Sequence, residues 1–198
     1  MSPYEITRNF ERALCDYTGA TYAVAVNSCT AALQLCVEWS DFHDISRPKT
    51  VITIPRHTYC SVPMAIINAG CAVAWRDEAW RGVYQLYPFE IWDSARRFTS
   101  GMYRTGQFQC ISFAASKILG MEQGGAILHD NGAADEWFRV MRFDGRIENT
   151  MPSSSTVTRI GHHCLMTPSV AAQGLLRLHH LPKHNEDMPD YPYPDLST

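Results

Sequence analysis

The chain has 198 residues, 45% of them apolar, and a formal charge of −3 at pH 7. That length fits one sizeable domain, or one domain with a small appendage, and the charge gives no reason to expect affinity for nucleic acid or membrane surfaces. No apolar run is long enough to span a bilayer and no signal peptide precedes the first expected helix, so a cytoplasmic protein is expected.

The spacing of apolar residues predicts a helix over 4–17, with Phe10, Ala13, Leu14 and Tyr17 on one face, closed by Gly19. A short buried strand follows at 22–26, then a helix at 31–39. Between them, Asn27-Ser28-Cys29-Thr30 puts small polar residues at a helix N-terminus. Free N–H groups and the helix dipole make such a turn an anion cradle, although Ser and Thr are also ordinary caps. A polar connection over 40–49 leads to a strand at 50–54, a helix at 59–69 closed by Gly70, and a strand at 71–75. This alternation argues for an α/β fold with a mostly parallel sheet flanked by helices, and ligands collect at the carboxyl ends of its strands. The segments 82–87 and 90–92 are too close for a parallel crossover, so one is irregular or the two form a hairpin. Asp93 ends the second of them. Helices are expected at 137–143 and 168–181, a turn at Asp144-Gly145, and a flexible loop at 151–158. From Pro182 the chain reads as an extended proline-rich tail, mobile or draped over a neighbour. The expected division is therefore one domain over 1–181 and a tail over 182–198.

Seven scattered cysteines, without CxxC or Cys/His metal spacing, read as small hydrophobes in a reducing compartment. The His162-His163 and His179-His180 pairs are adjacent rather than four apart, so no metal site is expected. Arginines cluster at 96, 97, 104, 139, 142 and 146. They read either as solvated faces and loops or as an anion-handling wall.

The most informative run is 107–125, QFQCISFAASKILGMEQGG. It opens as a buried strand carrying Ser112, reaches Lys117 through small residues, and returns through Gly124-Gly125 to a second apolar run. A lysine between apolar strands needs a partner or a lowered pKa, and a desolvated amine is what Schiff-base chemistry uses. An anion cradle, a strand-end carboxylate and a lysine together match a cofactor with a phosphate, a protonated ring nitrogen and an aldehyde. Pyridoxal phosphate (PLP) has all three.

These segments resemble the DegT/StrS-type sugar aminotransferases of the fold-type I PLP enzymes. The likeness is carried by FERALCDYTGATYAVAVNSCTAAL at 10–33, TVITIPRHTYCSVPMAIINAG at 50–70, IWDSARRF at 91–98, and CISFAASKILGMEQGGAIL at 110–128, and extends to MRFDGR and IGHHCLMTPSVAAQGLLRLHHL. The resemblance implies the large domain of that fold, without its small C-terminal domain and with a shortened stretch between Asp77 and Asp93. It implies Lys117 as the Schiff-base and proton-transfer residue and Asp93 as partner of the pyridine nitrogen. Tyr59 would stack on the ring, and Ser28, Cys29, Thr30 and Ser112 would hold the phosphate. His163 would stand where the family places an asparagine that reaches the neighbouring subunit's cofactor, so a homodimer with shared active sites is implied. Cys29 replaces a glycine, Gln123 an acidic residue and Leu165 an arginine. Arg96 replaces a glutamine near the ring oxygen, where an added cation would perturb the lysine or recruit an anionic substrate. The expected activity is transfer of an amino group from a small-molecule donor to a carbonyl acceptor, by resemblance a nucleotide-linked keto-sugar. Two alternatives stay open at this point. One is another PLP reaction, such as decarboxylation or modification of an amino group on a larger acceptor. The other is a non-catalytic subunit.

Overall fold

A computed structural model describes residues 4–42, 50–148, 150, 151, 153 and 156–198. In chain order the elements are α1 (Glu5–Thr18), β1 (Tyr22–Val26), α2 (Cys29–Phe42), β2 (Val51–Pro55), α3 (Ser61–Asn68), β3 (Ala72–Arg76), β4 (Tyr84–Gln85), β5 (Ile91–Asp93), β6 (Phe108–Ser112), β7 (Gly125–His129), α4 (Gly132–Met141) and α5 (Pro168–His180). Part of the expected 40–49 connection and part of the 151–158 loop lie outside the described residues. α4 starts well before the expected 137. Asn131 caps it by accepting from the Ala134 N–H at 3.0 Å, a start signal that apolar spacing alone does not carry.

The α/β fold is as expected, but the pairing in the sheet is mixed. Five strands run in the order β1-β7-β6-β5-β4, and β2-β3 form a separate pair. β5–β6 and β2–β3 are parallel, whereas β1–β7, β6–β7 and β4–β5 are antiparallel. The chain between β6 and β7 contains no helix to carry a crossover, so β7 folds back beside β6 and separates two strands, β1 and β6, that share a direction. The segment from 82 to 93 resolves as a hairpin, with Tyr84 opposite Asp93 and Gln85 opposite Trp92. Paired bonds between Thr53 and Tyr87, 2.8 and 3.2 Å, tie the two-stranded sheet to its turn.

Helices cover both faces. Val26, Leu33, Ile54, Ile66 and Ile127 are buried beneath α2, α3 and α4, and Phe10, Leu14, Leu128 and Val170 are buried between the sheet, α1 and α5. One charged group interrupts the second layer. Glu11 is 3% exposed on α1 and accepts from Arg142 at 2.5 Å, Arg139 at 2.7 Å and the Ala25 N–H at 2.9 Å. Arg142 also reaches Glu148 at 2.7 Å, and Arg139 reaches Asp135 at 2.6 Å. These arginines are thus neither solvated faces nor an anion wall. They are interior counter-ions that fasten α1 and β1 to α4.

The tail is extended, and it lies on the body of its own chain. Ser100 N–H bonds the Lys183 carbonyl at 2.9 Å, Met188 N–H the Arg96 carbonyl at 2.9 Å, and Leu196 N–H the Arg56 carbonyl at 3.1 Å. Arg97 grips Asp187 with two bonds of 2.7 and 2.6 Å.

Candidate active site

The carboxyl ends of β1, β5 and β6 open onto one cavity of about 670 Å³. Ser28, Cys29, Thr30, Tyr59, Asp93, Arg96, Ser112 and Lys117 all line it. His163 does not. Its side chain is 80% exposed and its Nδ1 lies 2.9 Å from Asp144 Oδ1.

The first wall is the turn between β1 and α2. Ser28 Oγ accepts from the Ala31 N–H at 3.1 Å and so caps α2, while Thr30 Oγ1 lies 2.7 Å from Ser61 Oγ. The capping and cradle readings are both compatible with this arrangement, because the cap leaves the turn lining the cavity. Cys29 has its thiol pushed well above the usual range by burial and by the Asp93 carboxylate, so it stays protonated at neutral pH. Close beneath runs the start of β7. A Cβ on Gly125 would sit 2.5 Å from the Cys29 nitrogen and 2.6 Å from the Ser28 carbonyl carbon. Only glycine lets the strand approach that closely. Gly125→Ala is therefore expected to displace the turn, at about 1–3 kcal/mol of stability. Urea unfolding and anion-binding titrations check this; unchanged values in both would show that the turn tolerates the shift.

The second wall is the end of β5. Asp93 is 5% exposed. Its Oδ2 accepts from the Tyr84 hydroxyl at 2.8 Å and its Oδ1 from the Ala95 N–H at 2.9 Å, and Tyr84 is in turn 2.5 Å from Thr58 Oγ1. Burial nevertheless raises the Asp93 pKa, and the two donors and the Lys117 charge only partly oppose it. This is a carboxylate that would gain from a nearby cation.

Lys117 sits on the turn after β6, its N–H bonded to the Ala114 carbonyl at 2.8 Å. Burial lowers its pKa, and the Arg96 charge lowers it further, with Asp93 and Cys29 opposing. A larger share of the amine is then neutral, and nucleophilic, than in a free lysine. Ser112 Oγ faces the same space from the end of β6, 3.5 Å from the Ala114 N–H. Tyr59 is 59% exposed at the rim, with its ring edge-on to Tyr193 at 6.4 Å.

Sequence reasoning missed Tyr84, Trp80, Met188, Tyr191 and Tyr193. Tyr84 follows from the hairpin alternative for 82–92, which in the structure sets it opposite Asp93. The three tail residues carry no local signal. They line the cavity only because the tail folds back, with Tyr193 stacked on Trp80 at 6.0 Å.

An α/β fold with an amine and a buried carboxylate across one cavity, at the strand ends, is the architecture of fold-type I enzymes. The chain belongs to the DegT/DnrJ/EryC1/StrS aminotransferase family, whose profile matches residues 1–80 and 99–188. Asp93 and Arg96 lie in the stretch that this match skips. No curated protein sequence matches the chain. Among solved structures, Helicobacter pylori PseC, an aminotransferase involved in the biosynthesis of pseudoaminic acid, is 18% identical with a TM-score of 0.73, covering 88% of this chain and 57% of PseC. AtS13 from Actinomadura melliaura is 20% identical with a TM-score of 0.72, covering 90% and 60%. Spr1654 from Streptococcus pneumoniae in its PLP form is 18% identical with a TM-score of 0.69, covering 89% and 59%. The chain thus spans less than two thirds of the length of the structures it matches, and among its described residues no helix is long and apolar enough to cross a membrane.

Proposed function

We propose that this chain is a compact PLP-dependent aminotransferase, passing an amino group from a small-molecule donor to a carbonyl acceptor. By kinship the acceptor is a nucleotide-linked keto-sugar. The observation that carries this reading is one cavity at the strand ends lined by Lys117, by the buried Asp93 with its Tyr84 and Ala95 donors, and by the Ser28–Thr30 turn, where burial pushes the amine down and the carboxyl up. Similarity to a protein solved in a PLP form supports it.

The donor set fits the cofactor. The Ser28 hydroxyl, the backbone N–H groups of Cys29 and Thr30 at the start of α2, and the Ser112 hydroxyl would hold its phosphate. Tyr59 would cover one ring face. When bound, PLP supplies an electrophilic carbonyl carbon and a ring that accepts electrons from the substrate. Asp93 would keep the proton on the ring nitrogen, held in place by Tyr84 and the Ala95 N–H. Lys117 would anchor the cofactor through its amine and, once released, move a proton to and from the substrate's reacting carbon.

Residues 1–181 would form the cofactor-holding domain, with 182–198 as its tail. A homodimer suits the exposed apolar residues Ile147, Met151, Val157 and Ile160, which precede His163 in the chain. In that assembly His163 would reach the partner's site. The free thiols suit a cytoplasmic setting.

Borohydride reduction after PLP loading tests the reading. Intact mass and peptide mapping should place one phosphopyridoxyl adduct on Lys117, and an amino donor should yield one equivalent of keto acid. A protein that takes up no PLP would end the proposal; carbon dioxide in place of keto acid would favour decarboxylation.

A further inference from the structure

The counter-ions of the enclosed arginines differ, and Arg139, Arg142 and Arg96 show the contrast. Arg142 and Arg139 are matched by Glu11, Glu148 and Asp135. Arg96 is 8% exposed, yet no carboxylate among the described residues lies within 4.0 Å of its guanidinium. Its neighbour Arg97 takes the tail carboxylate Asp187. Arg96 has only neutral partners: the Pro189 carbonyl, the Tyr193 hydroxyl at 3.3 Å, and the faces of Tyr191 and Tyr193, each 5.9 Å from its Cζ. A guanidinium so enclosed holds its charge at a desolvation cost that neutral groups offset only in part. No described residue supplies a carboxylate within 4.0 Å, and an anionic ligand in the cavity would supply the counter-charge.

Position says which charge. Arg96 stands on the wall shared by the main cavity and a smaller one of about 270 Å³. The smaller cavity is bordered by three carboxylates, Asp77, Glu78 and Asp190, with Arg81 beside Arg96, and the main cavity by two, Asp93 and Glu122, with Lys117 beside Arg96. The main cavity brings Arg96 together with Lys117, whose amine it influences directly. The phosphate cradle at Ser28–Thr30 borders the main cavity and not the smaller one, so Arg96 shares its cavity with both the cradle and Lys117.

We propose that Arg96 recognises a carboxylate on the substrate that reacts at Lys117, and that the tail residues Pro189, Tyr191 and Tyr193 hold its fork in place for that contact. This rests on the aminotransferase reading and adds a substrate feature to it. A planar guanidinium held by the Pro189 carbonyl and the Tyr193 hydroxyl, with both tyrosine rings on one side of it, keeps its orientation and presents its remaining N–H donors to a carboxylate.

The test is calorimetric titration of the PLP-loaded protein with glutarate and with its uncharged diamide, glutaramide. Wild type should bind glutarate and bind glutaramide at least tenfold more weakly. Arg96→Gln should lose about 10- to 100-fold in glutarate affinity, with its PLP adduct on Lys117 intact. Unchanged glutarate binding in folded Arg96→Gln, or equal weakening toward both probes, would overturn the proposal. Should Arg96→Gln fail to fold, wild type alone decides: glutarate must shift the Arg96 side-chain NMR signal and glutaramide must not. If the protein takes up no PLP, the aminotransferase reading fails, and the same titration on cofactor-free protein still judges Arg96. Single-turnover measurements separate the sources of the carboxylate. Slower reaction of the variant with L-alanine but not with ethylamine assigns it to the donor, and slowing confined to a 2-oxo acid acceptor assigns it to the acceptor.

Discussion

Lys117→Ala should bind PLP without a covalent bond and lose turnover by on the order of 10⁴-fold, since one residue both anchors the cofactor and moves the proton. The two roles separate experimentally. Loss of the anchor appears as loss of the borohydride-stable mass adduct. Loss of the proton carrier appears as a stalled single turnover that a small exogenous amine, entering the space left by the side chain, speeds in proportion to its concentration. Lys117→Arg should fail on both counts, because a guanidinium stays protonated and is neither nucleophile nor base near neutral pH. The lowered lysine pKa sets the direction of the pH dependence. Activity of the wild-type protein should rise as pH climbs through the lysine pKa, and it should do so at a lower pH than a free lysine would give. A Lys117→Ala protein that retains turnover would remove this lysine from the chemistry altogether.

Why so much of this site could be read in advance, and the rest could not, follows from where each group gets its position. Lys117, Ser112, Asp93 and the Ser28–Thr30 turn are each placed by the strand that precedes them, and strand ends are visible in the local pattern. They converge because those strands end on the same edge of the sheet. Strand direction is less local. The reversal of β7 depends on the absence of a helix between 113 and 124, so alternation in the first third of the chain suggested more parallel pairing than the sheet contains. Tyr191 and Tyr193 depend on contacts made across nearly a hundred residues, such as Arg97 with Asp187. A proline-rich stretch looks the same in sequence whether it is mobile or strapped down. Arg139 and Arg142 show the same effect inside the core. Their charge suggested a surface, and what decides otherwise is a glutamate on α1, far away in the chain.

That glutamate carries the largest expected effect on stability. Glu11→Ala should destabilise the protein by about 3–5 kcal/mol, the usual result of removing one partner from a buried ion pair. Arg142 would keep Glu148 and the Ala25 carbonyl but lose one of its two carboxylates, and the Ala25 N–H on β1 would lose its acceptor. The pH dependence has a definite sign. Burial alone would raise the Glu11 pKa, but Arg142, Arg139 and the Ala25 N–H hold it below the ordinary 4.5. A carboxyl lowered by folding contributes stability above its unfolded pKa and loses it as pH falls through the folded value. Urea unfolding should therefore show wild type converging on Glu11→Ala below about pH 4.5 and separating from it above. Replacing the group as a unit, Glu11→Leu with Arg142→Met, should cost less than the sum of the two single changes, since neither charge is then left alone. A loss under about 1 kcal/mol in Glu11→Ala would mean that water reaches the cluster. Because Ala25 is in β1, which ends at Val26 just before the turn, the same substitution should also loosen the turn at Ser28 and weaken PLP binding, although Glu11 lies outside the cavity. A drop in stability with PLP affinity unchanged would separate the cluster from the cradle and confine Glu11 to holding the fold.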